Sequence, residues 1–293
     1  MTFRCGYVAL IGRPNVGKST LINRLVGESL AIVTPKPQTT RQRIVGIVQR
    51  PESQLIFVDT PGFHESAKLL NRVMLKQVDQ ALADADAVCL LLEPRASIDP
   101  IDRELWMRIA GDLRATLFAV INKMDLVPLA KVARLLTALR QELGREPMTL
   151  SALNGTGVEG LMQSCEAVLP EGPALYPTDQ YTEHPTRFLA AEMIREQLIV
   201  SLGEELPYAT AVEIEAFEEK EKLTRIRALV IVEKDSQKGI VIGQGGRTLK
   251  KIGTRARAKI ETLVGTKVYL ELFVRVEAGW TKDPTALRRL GYG

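Results

Sequence analysis

Gly12-Arg13-Pro14-Asn15-Val16-Gly17-Lys18-Ser19 separates two apolar patterns of different period. Before it, Tyr7-Val8-Ala9-Leu10-Ile11 reads as a buried strand. After it, Leu21, Ile22, Leu25 and Val26 fall on one helical face. The turn between them has the spacing G-x-x-x-x-G-K-[ST] of a phosphate-binding loop. Its glycines let several backbone N–H groups converge, and the following helix adds the positive end of its dipole. Lys18 is placed to bridge the β- and γ-phosphates of a nucleotide, and the Ser19 hydroxyl to ligate Mg²⁺.

The next polar stretch, Thr34-Pro35-Lys36-Pro37-Gln38-Thr39-Thr40-Arg41, reads as a loop because its prolines break both helix and strand. A threonine here could complete the Mg²⁺ shell when a γ-phosphate is present. Thr40 is the first candidate and Thr39 the second, within a switch segment Gln38-Thr39-Thr40-Arg41. Two strands are expected at Arg43–Val48 and Gln54–Val58. The second ends in Asp59-Thr60-Pro61-Gly62. An acid at the end of a buried strand is costly unless it is paired or metal-bound. Beside a phosphate loop, Asp59 is expected to hold Mg²⁺ through water, and the Gly62 N–H to meet the γ-phosphate. Phe63 follows, at a position where well-known small GTPases carry a glutamine that orients the attacking water. Phenylalanine has no hydrogen-bonding group, so slow intrinsic hydrolysis is expected. His64 reads as a surface residue of the switch loop.

Helices are expected from Lys68 to Leu82 and from Asp102 to Ala110, and strands from Ala87 to Leu92 and from Thr116 to Ile121. The last of these runs into Asn122-Lys123-Met124-Asp125, the guanine-reading pattern N-K-x-D. The Asp125 carboxylate can accept hydrogen bonds from the ring N–H and exocyclic amine of guanine, an edge that adenine lacks. Asn122 and the Lys123 stem would fix the loop and cover the base. A short strand at Met148–Leu150 leads to Ser151-Ala152-Leu153, whose backbone N–H groups can contact the guanine carbonyl oxygen. Helices from Val132 to Leu143 and Val158 to Val168 complete an alternation of strands and helices. That alternation predicts an α/β domain with a mostly parallel sheet and helices on both faces.

The totals agree with a globular chain of two domains: 293 residues, 45% hydrophobic and 25% charged. No apolar run approaches the roughly 18 residues of a membrane-spanning helix. The first strand starts so early that no signal peptide is expected. Cys5, Cys89 and Cys165 have no paired spacing, which points to free thiols, a reducing compartment and no zinc site. Cys89, inside an apolar run, reads as core. Charge is uneven. Residues 1–184 hold 20 Lys and Arg against 20 Asp and Glu, whereas residues 220–293 hold 17 against 7. A cationic excess confined to one end suggests a polyanionic partner there.

The proline-rich stretch Leu169–Pro177 predicts an ordered, fairly stiff linker running to about His184-Pro185. Beyond it the expected order is a helix (Arg187–Leu202), two strands (Ala211–Phe217 and Ile226–Val232), a helix and a glycine turn. A basic helix to Val264 and a strand (Lys267–Val276) then follow. The turn lies in Val241-Ile242-Gly243-Gln244-Gly245-Gly246-Arg247, followed by Lys250, Lys251 and Arg255. This order fits a KH domain, whose G-x-x-G turn lets backbone N–H groups clamp the sugar-phosphate chain of about four nucleotides of single-stranded RNA. Basic side chains neutralise phosphates, and an apolar groove takes unstacked bases. Trp280 is either a base-stacking or a packed residue.

These motifs together resemble the bacterial Era-type GTPases: a G domain plus a C-terminal type II KH domain, a likeness that covers essentially the whole chain. The resemblance implies a P-loop GTPase domain at 1–170, a linker at 171–184 and a smaller α+β KH domain with a tail at 185–293. It also implies hydrolysis of GTP to GDP and a role in small ribosomal subunit maturation. The partner would be the small-subunit ribosomal RNA near its 3′ end. Mg²⁺ would be held by Ser19, Thr40 and Asp59, and Asn15 is the candidate ligand for K⁺, with K⁺-stimulated hydrolysis as the consequence. Family members are cytoplasmic with peripheral inner-membrane association, although no amphipathic stretch here points to a membrane; a monomer is expected. Two rival readings are a GTPase of transfer-RNA modification, against which the glycine clamp argues, and an RNA-binding adaptor with a structural nucleotide. Phosphate release would separate the last from an enzyme.

Overall fold

In the computed structural model, which describes residues 2–63, 69–95, 97–112, 115–203 and 205–292, the chain divides into two compact units. The first comprises Met1–Ala31, Thr40–Ser66 and Met74–Glu183; the second comprises Ile32–Thr39, Ala67–Val73 and His184–Gly293. His64 and Lys68, the latter the expected start of a helix, lie outside the described residues.

The first unit is built on a six-stranded sheet. Its strands are β1 (Arg4–Ile11), β2 (Ile44–Gln49), β3 (Ser53–Asp59), β4 (Ala87–Leu92), β5 (Thr116–Ile121) and β6 (Met148–Thr149), in the order β2-β3-β1-β4-β5-β6. All neighbours are parallel except β2 and β3. β3 and β4 are buried at every position, which is why they read as continuous apolar runs rather than alternating ones. The helices are α1 (Lys18–Val26), α2 (Leu69–Asp84), α3 (Pro100–Asp112), α4 (Leu129–Leu143) and α5 (Val158–Val168). Parallel pairing has one consequence for function. The register sets Leu10 beside Asp59, Ile11 beside Leu90, and Leu92 beside Ile121. The turns that follow β1, β3, β4 and β5 therefore emerge along one edge, outside the carboxyl ends of the strands.

Cys89 and Cys165, which sequence spacing leaves unrelated, meet in this core with their sulfurs 3.8 Å apart; both are free thiols. The proline-rich stretch is strapped onto the sheet. Cys5 N–H donates to Pro170 O and Gly172 N–H to Phe3 O. The buried Gln54 side chain accepts from the N–H groups of Leu175 and Tyr176 and donates to Tyr176 O. An extended segment whose backbone groups are satisfied in this way is as ordered as a strand.

The second unit contains α6 (Thr186–Ser201), β7 (Ala211–Glu218), β8 (Leu223–Val232), α7 (Asp235–Ile242), α8 (Arg247–Val264), β9 (Lys267–Val276) and α9 (Pro284–Arg289). The sheet order is β7-β8-β9, antiparallel then parallel. Ala190, Ile194 and Leu198 of α6 and Ile252, Ala256 and Ile260 of α8 pack with Ile226, Ala228 and Val230 of β8 in one core. Within this unit the Lys36 ammonium donates to Ile199 O at 2.7 Å and to Leu202 O, closing the carboxyl end of α6. Trp280 is fully buried, donates from Nε1 to Ala209 O at 3.3 Å and stacks on Tyr292. That corrects the base-stacking reading: its face has no access to a ligand.

Candidate functional site

The turn after β1 takes the conformation that a phosphate cradle requires. Gly12 and Gly17 have φ of 148° and 100°, and Asn15 has φ of 64°. Gly17 caps α1 at its amino end. Val16 is buried beneath the turn. The Lys18 ammonium folds back to donate to Gly12 O at 2.9 Å and Arg13 O at 3.0 Å. Burial pushes its pKa down to about 8, against the pull of Asp59 and Asp102. The Asp59-Thr60-Pro61-Gly62 turn lies against this cradle. Phe63 N–H donates to Gly12 O, and a β-carbon on Gly62 would lie 2.6 Å from Pro14 N. Thr60 Oγ1 donates to Leu10 O. Phe63 itself is packed into the core, with the Arg108 guanidinium over its ring.

Three side chains converge beside Lys18. Ser19 Oγ donates to Asp59 Oδ2 at 2.7 Å and lies 2.9 Å from Thr40 Oγ1. Thr39 is turned elsewhere, its hydroxyl donating to Lys36 O at 2.8 Å; of the two threonines, Thr40 is the one brought to Ser19 and Asp59. In the same segment Gln38 has φ of 55° and Arg41 is buried. Asp59 is fully buried, and its Oδ1 has no hydrogen-bond partner among the described residues. Burial pushes its carboxyl up to about 6, opposed by Lys18, Ser19 and Thr40. A buried acceptor without a donor, next to two hydroxyls, is the donor set of a hard divalent cation. The residues fit Mg²⁺.

The base side is assembled from β5, β6 and α1. Asn122 Nδ2 donates to Val16 O at 2.8 Å and its Oδ1 accepts from Ala152 N–H at 2.9 Å, so one amide ties three turns together. Lys123 has φ of 62°, and Met124 N–H donates to Leu150 O. Asp125 Oδ1 accepts from Ser151 Oγ at 2.5 Å. Leu153 is exposed at the tip. Arg24 of α1 donates to Ala152 O and Leu153 O.

In the second unit, Gly243, Gly245 and Gly246 all have positive φ, between 58° and 77°. The turn leaves Gln244 and Arg247 exposed and Ile242 half-buried. Val241, counted among the RNA-contacting residues in the sequence reading, is fully buried in the core; it supports the turn from beneath. Beside the turn is an open cavity of about 410 Å³ lined by Leu249, Lys250, Gly253, Thr254, Arg257 and Tyr269, among others. A second, of about 420 Å³, lies among Arg247, Lys250, Lys251, Thr254 and Arg255. Apolar Leu249, Leu270 and Leu272 line the first together with cationic Lys250 and Arg257, a mixture that suits an unstacked base and its phosphate.

Two family profiles match, one described as 50S ribosome-binding GTPase over residues 7–123 and one as KH domain over residues 205–281. The chain is 46% identical to GTPase Era of Geobacter metallireducens over 293 residues, covering 99% of this chain and 98% of that one. It is 45% identical to GTPase Era of Syntrophus aciditrophicus, covering 99% and 95%. The chain belongs to the Era GTPase family. Its fold agrees throughout: a crystal structure of an Aquifex aeolicus Era variant bound to GDP·AlF4⁻ superposes with a TM-score of 0.95 at 36% identity, over 99% of this chain and 100% of that one. A structure of Era in complex with MgGDPNP and nucleotides 1506–1542 of 16S ribosomal RNA superposes at 0.94, with 36% identity and 99% coverage of both chains.

Several residues of this Era-family site escape sequence reasoning. Arg24, Glu93, Asp102, Arg257 and Tyr269 carry no motif. Glu93 did give a signal: it follows a buried strand, as Asp59 ends one, and the same cost of burying an acid applies to it. Arg257 lies seven residues after Lys250 and so shares its helical face.

Proposed function

We propose that this chain is a GTP-operated clamp on single-stranded RNA, acting on the 3′ end of small-subunit ribosomal RNA during small-subunit maturation. The observation that carries this reading is the convergence of Ser19, Thr40 and Asp59 around an unpaired buried oxygen, in a chain that also holds a turn of three positive-φ glycines. Support for the identity of the RNA comes from the relative solved with nucleotides 1506–1542 of 16S ribosomal RNA.

The residue roles follow from chemistry. Gly12 to Ser19 hold the phosphates. The Lys18 ammonium exchanges its two carbonyl partners for β- and γ-phosphate oxygens as charge spreads over the transferring group. Ser19 and Thr40, with Asp59 through water, hold Mg²⁺, which when bound neutralises phosphate charge. The Gly62 N–H meets the γ-phosphate. Asn122, Lys123, Met124 and Asp125 read guanine, with Ser151, Ala152 and Leu153 behind its carbonyl. Phe63 is packed away and offers attacking water no group, so hydrolysis rests on positioning and charge and is slow alone. Asn15 is the proposed K⁺ ligand; equal rates in K⁺ and Na⁺ would discard that role.

The output is conformational. Thr40 adjoins the segment Ile32–Thr39 that belongs to the second compact unit. Ordering of Thr40 and of Asp59 to Phe63 by GTP, and release with GDP, is the proposed signal to the RNA clamp. We assign the G domain to 1–170, the linker to 171–184 and the KH domain with its tail to 185–293, in a monomer. The proposed location is cytoplasmic, and a peripheral association with the inner membrane is implied by the family resemblance alone; among the described residues no helix is long and apolar enough to cross a membrane. The test is the affinity for a 3′-terminal small-subunit RNA fragment in the empty, GDP-bound and GDPNP-bound states. Indifference to nucleotide, or preference for transfer RNA, would overturn the proposal.

A further inference from the structure

Glu93 directly follows β4, at the edge where the nucleotide-facing turns emerge. Leu92 pairs with Ile121, and Asn122 N–H donates to Leu92 O at 2.9 Å, so the residue after β4 stands beside the base loop. Glu93 Oε1 accepts from Lys123 Nζ at 2.8 Å. Oε2 accepts from Arg95 Nε at 3.0 Å and Nη2 at 2.7 Å, and lies 3.8 Å from Arg13 Nη2. Arg13 is pinned on its other side, Nη1 and Nε each 3.0 Å from Asp99 and Asp102. The carboxylate therefore hydrogen-bonds a residue of the base loop, Lys123, and only lies near Arg13 of the phosphate loop, whose Nη2 it does not hydrogen-bond.

Lys123 is constrained at both ends. Its left-handed backbone is disfavoured for a residue with a β-carbon, so contacts must hold it. The Met124 N–H bond to Leu150 O fixes the backbone, and Glu93 fixes the ammonium. A lysine stem loses much rotamer freedom when its tip is fixed. Where that loss is taken before a ligand arrives, the ligand does not bear it. Burial works to raise the Glu93 carboxyl, but the hydrogen bonds from Lys123 and Arg95 prevail and hold it below the usual range. It is ionised at neutral pH.

We propose that Glu93 is a positioning residue for guanine-nucleotide binding, holding the Lys123 ammonium so that the base loop is set before the nucleotide enters. The inference rests on the reading of Asn122–Asp125 as the base loop. Its effect belongs to binding, equal in ground and transition states, so it moves KM and nucleotide release and leaves kcat alone.

The experiment measures release of a fluorescent GDP analogue, and steady-state GTP hydrolysis, on the full chain with Mg²⁺. Wild type, Glu93→Gln, Glu93→Asp, Lys123→Met and the Glu93→Gln/Lys123→Met double variant are compared. Glu93→Gln is expected to speed release and raise KM about tenfold (about 1.4 kcal/mol), with kcat within about twofold. Glu93→Asp, which keeps the charge, recovers most of that loss. Lys123→Met keeps the stem and removes the charge; in that background Glu93→Gln adds nothing further, because the tie is already cut. Unchanged release and KM in Glu93→Gln, a loss confined to kcat, or effects that multiply in the double variant would each overturn the proposal. A wild-type chain that held GDP no better than ADP would instead overturn the base-loop reading beneath it.

Discussion

Gly17 and Asn122 approach so closely that a β-carbon on Gly17 would lie 2.2 Å from Asn122 Nδ2. The amide cannot retreat, because it holds Val16 O on one side and Ala152 N–H on the other. The second glycine of the phosphate loop is thus fixed by the first residue of the base loop. Gly17 also has φ of 100°. Gly17→Ala therefore combines a clash with backbone strain of about 1–2 kcal/mol. GDP affinity is expected to fall at least about a hundredfold, equivalent to about 2.8 kcal/mol. Calorimetric titration with GDP checks this; wild-type affinity in the variant would show that the two loops can part without cost.

Asp59 carries a conflict between stability and function. Its carboxyl is fully buried, and burial, opposed by Lys18, Ser19 and Thr40, holds its pKa at about 6 instead of 3.8. The folded-state value lies above the unfolded one, so the native chain keeps a proton through that window that the unfolded chain has lost. Stability of the Mg²⁺-free protein is then expected to fall as pH rises from about 4 to about 6, and to stay level above. Asp59→Asn removes the buried charge and the fall with it. At pH 7, in chelator, the variant should be the more stable by about 3 kcal/mol. Adding Mg²⁺ and GTP should reverse the order, because only the wild type can use the ion. Melting curves with and without chelator would contradict this if Asp59→Asn were the less stable in both.

Asp59 and Asp125 are legible because their chemistry is local: an acid closely following an apolar run, inside a short pattern of fixed spacing, D-x-x-G for one and N-K-x-D for the other. Glu93 also follows an apolar run, yet its partner Lys123 is thirty residues away and is delivered only by the register of β4 against β5. The sequence names the acid and withholds the cation. The straps from Gln54 to Leu175 and Tyr176 are hidden for the same reason. Thr39 and Thr40 are adjacent and chemically identical; only the path of the loop decides which hydroxyl meets Ser19. Element order and period carried the fold, since both depend on near neighbours. Tyr269 of the groove lies on a strand whose alternation marks it as solvent-facing and says nothing of the helix beside it.

Trp280 gives a test of structure against contact. Its ring is buried and stacked on Tyr292, with Nε1 bonded to Ala209 O. Trp280→Ala is expected to lose about 3–5 kcal/mol, the cost of an unfilled core site of that size. Trp280→Phe fills most of the volume and should lose less. RNA affinity measured well below the melting temperature should be unaffected in Trp280→Phe. A tenfold loss of RNA affinity there, with melting unchanged, would restore a direct role for the indole.

The glycine turn can be separated from the fold. A β-carbon on Gly245 meets nothing within 4 Å, so a substitution there strains the backbone without a clash. Aspartate tolerates the left-handed region better than most residues, so Gly245→Asp keeps the strain small. The added carboxylate stands where a phosphate would approach, and like charges repel. RNA affinity is expected to drop at least about tenfold, while GDP affinity holds within about twofold. Lys251→Ala acts differently. It removes one cation from the exposed side of α8 and should weaken all single strands alike. The slope of log affinity against log salt should fall by about 0.7, the value for one phosphate contact on a single strand. Titrations at four salt concentrations measure it. An unchanged slope in Lys251→Ala would place the RNA backbone on another face of α8, and unchanged affinity in Gly245→Asp would remove the turn from the interface.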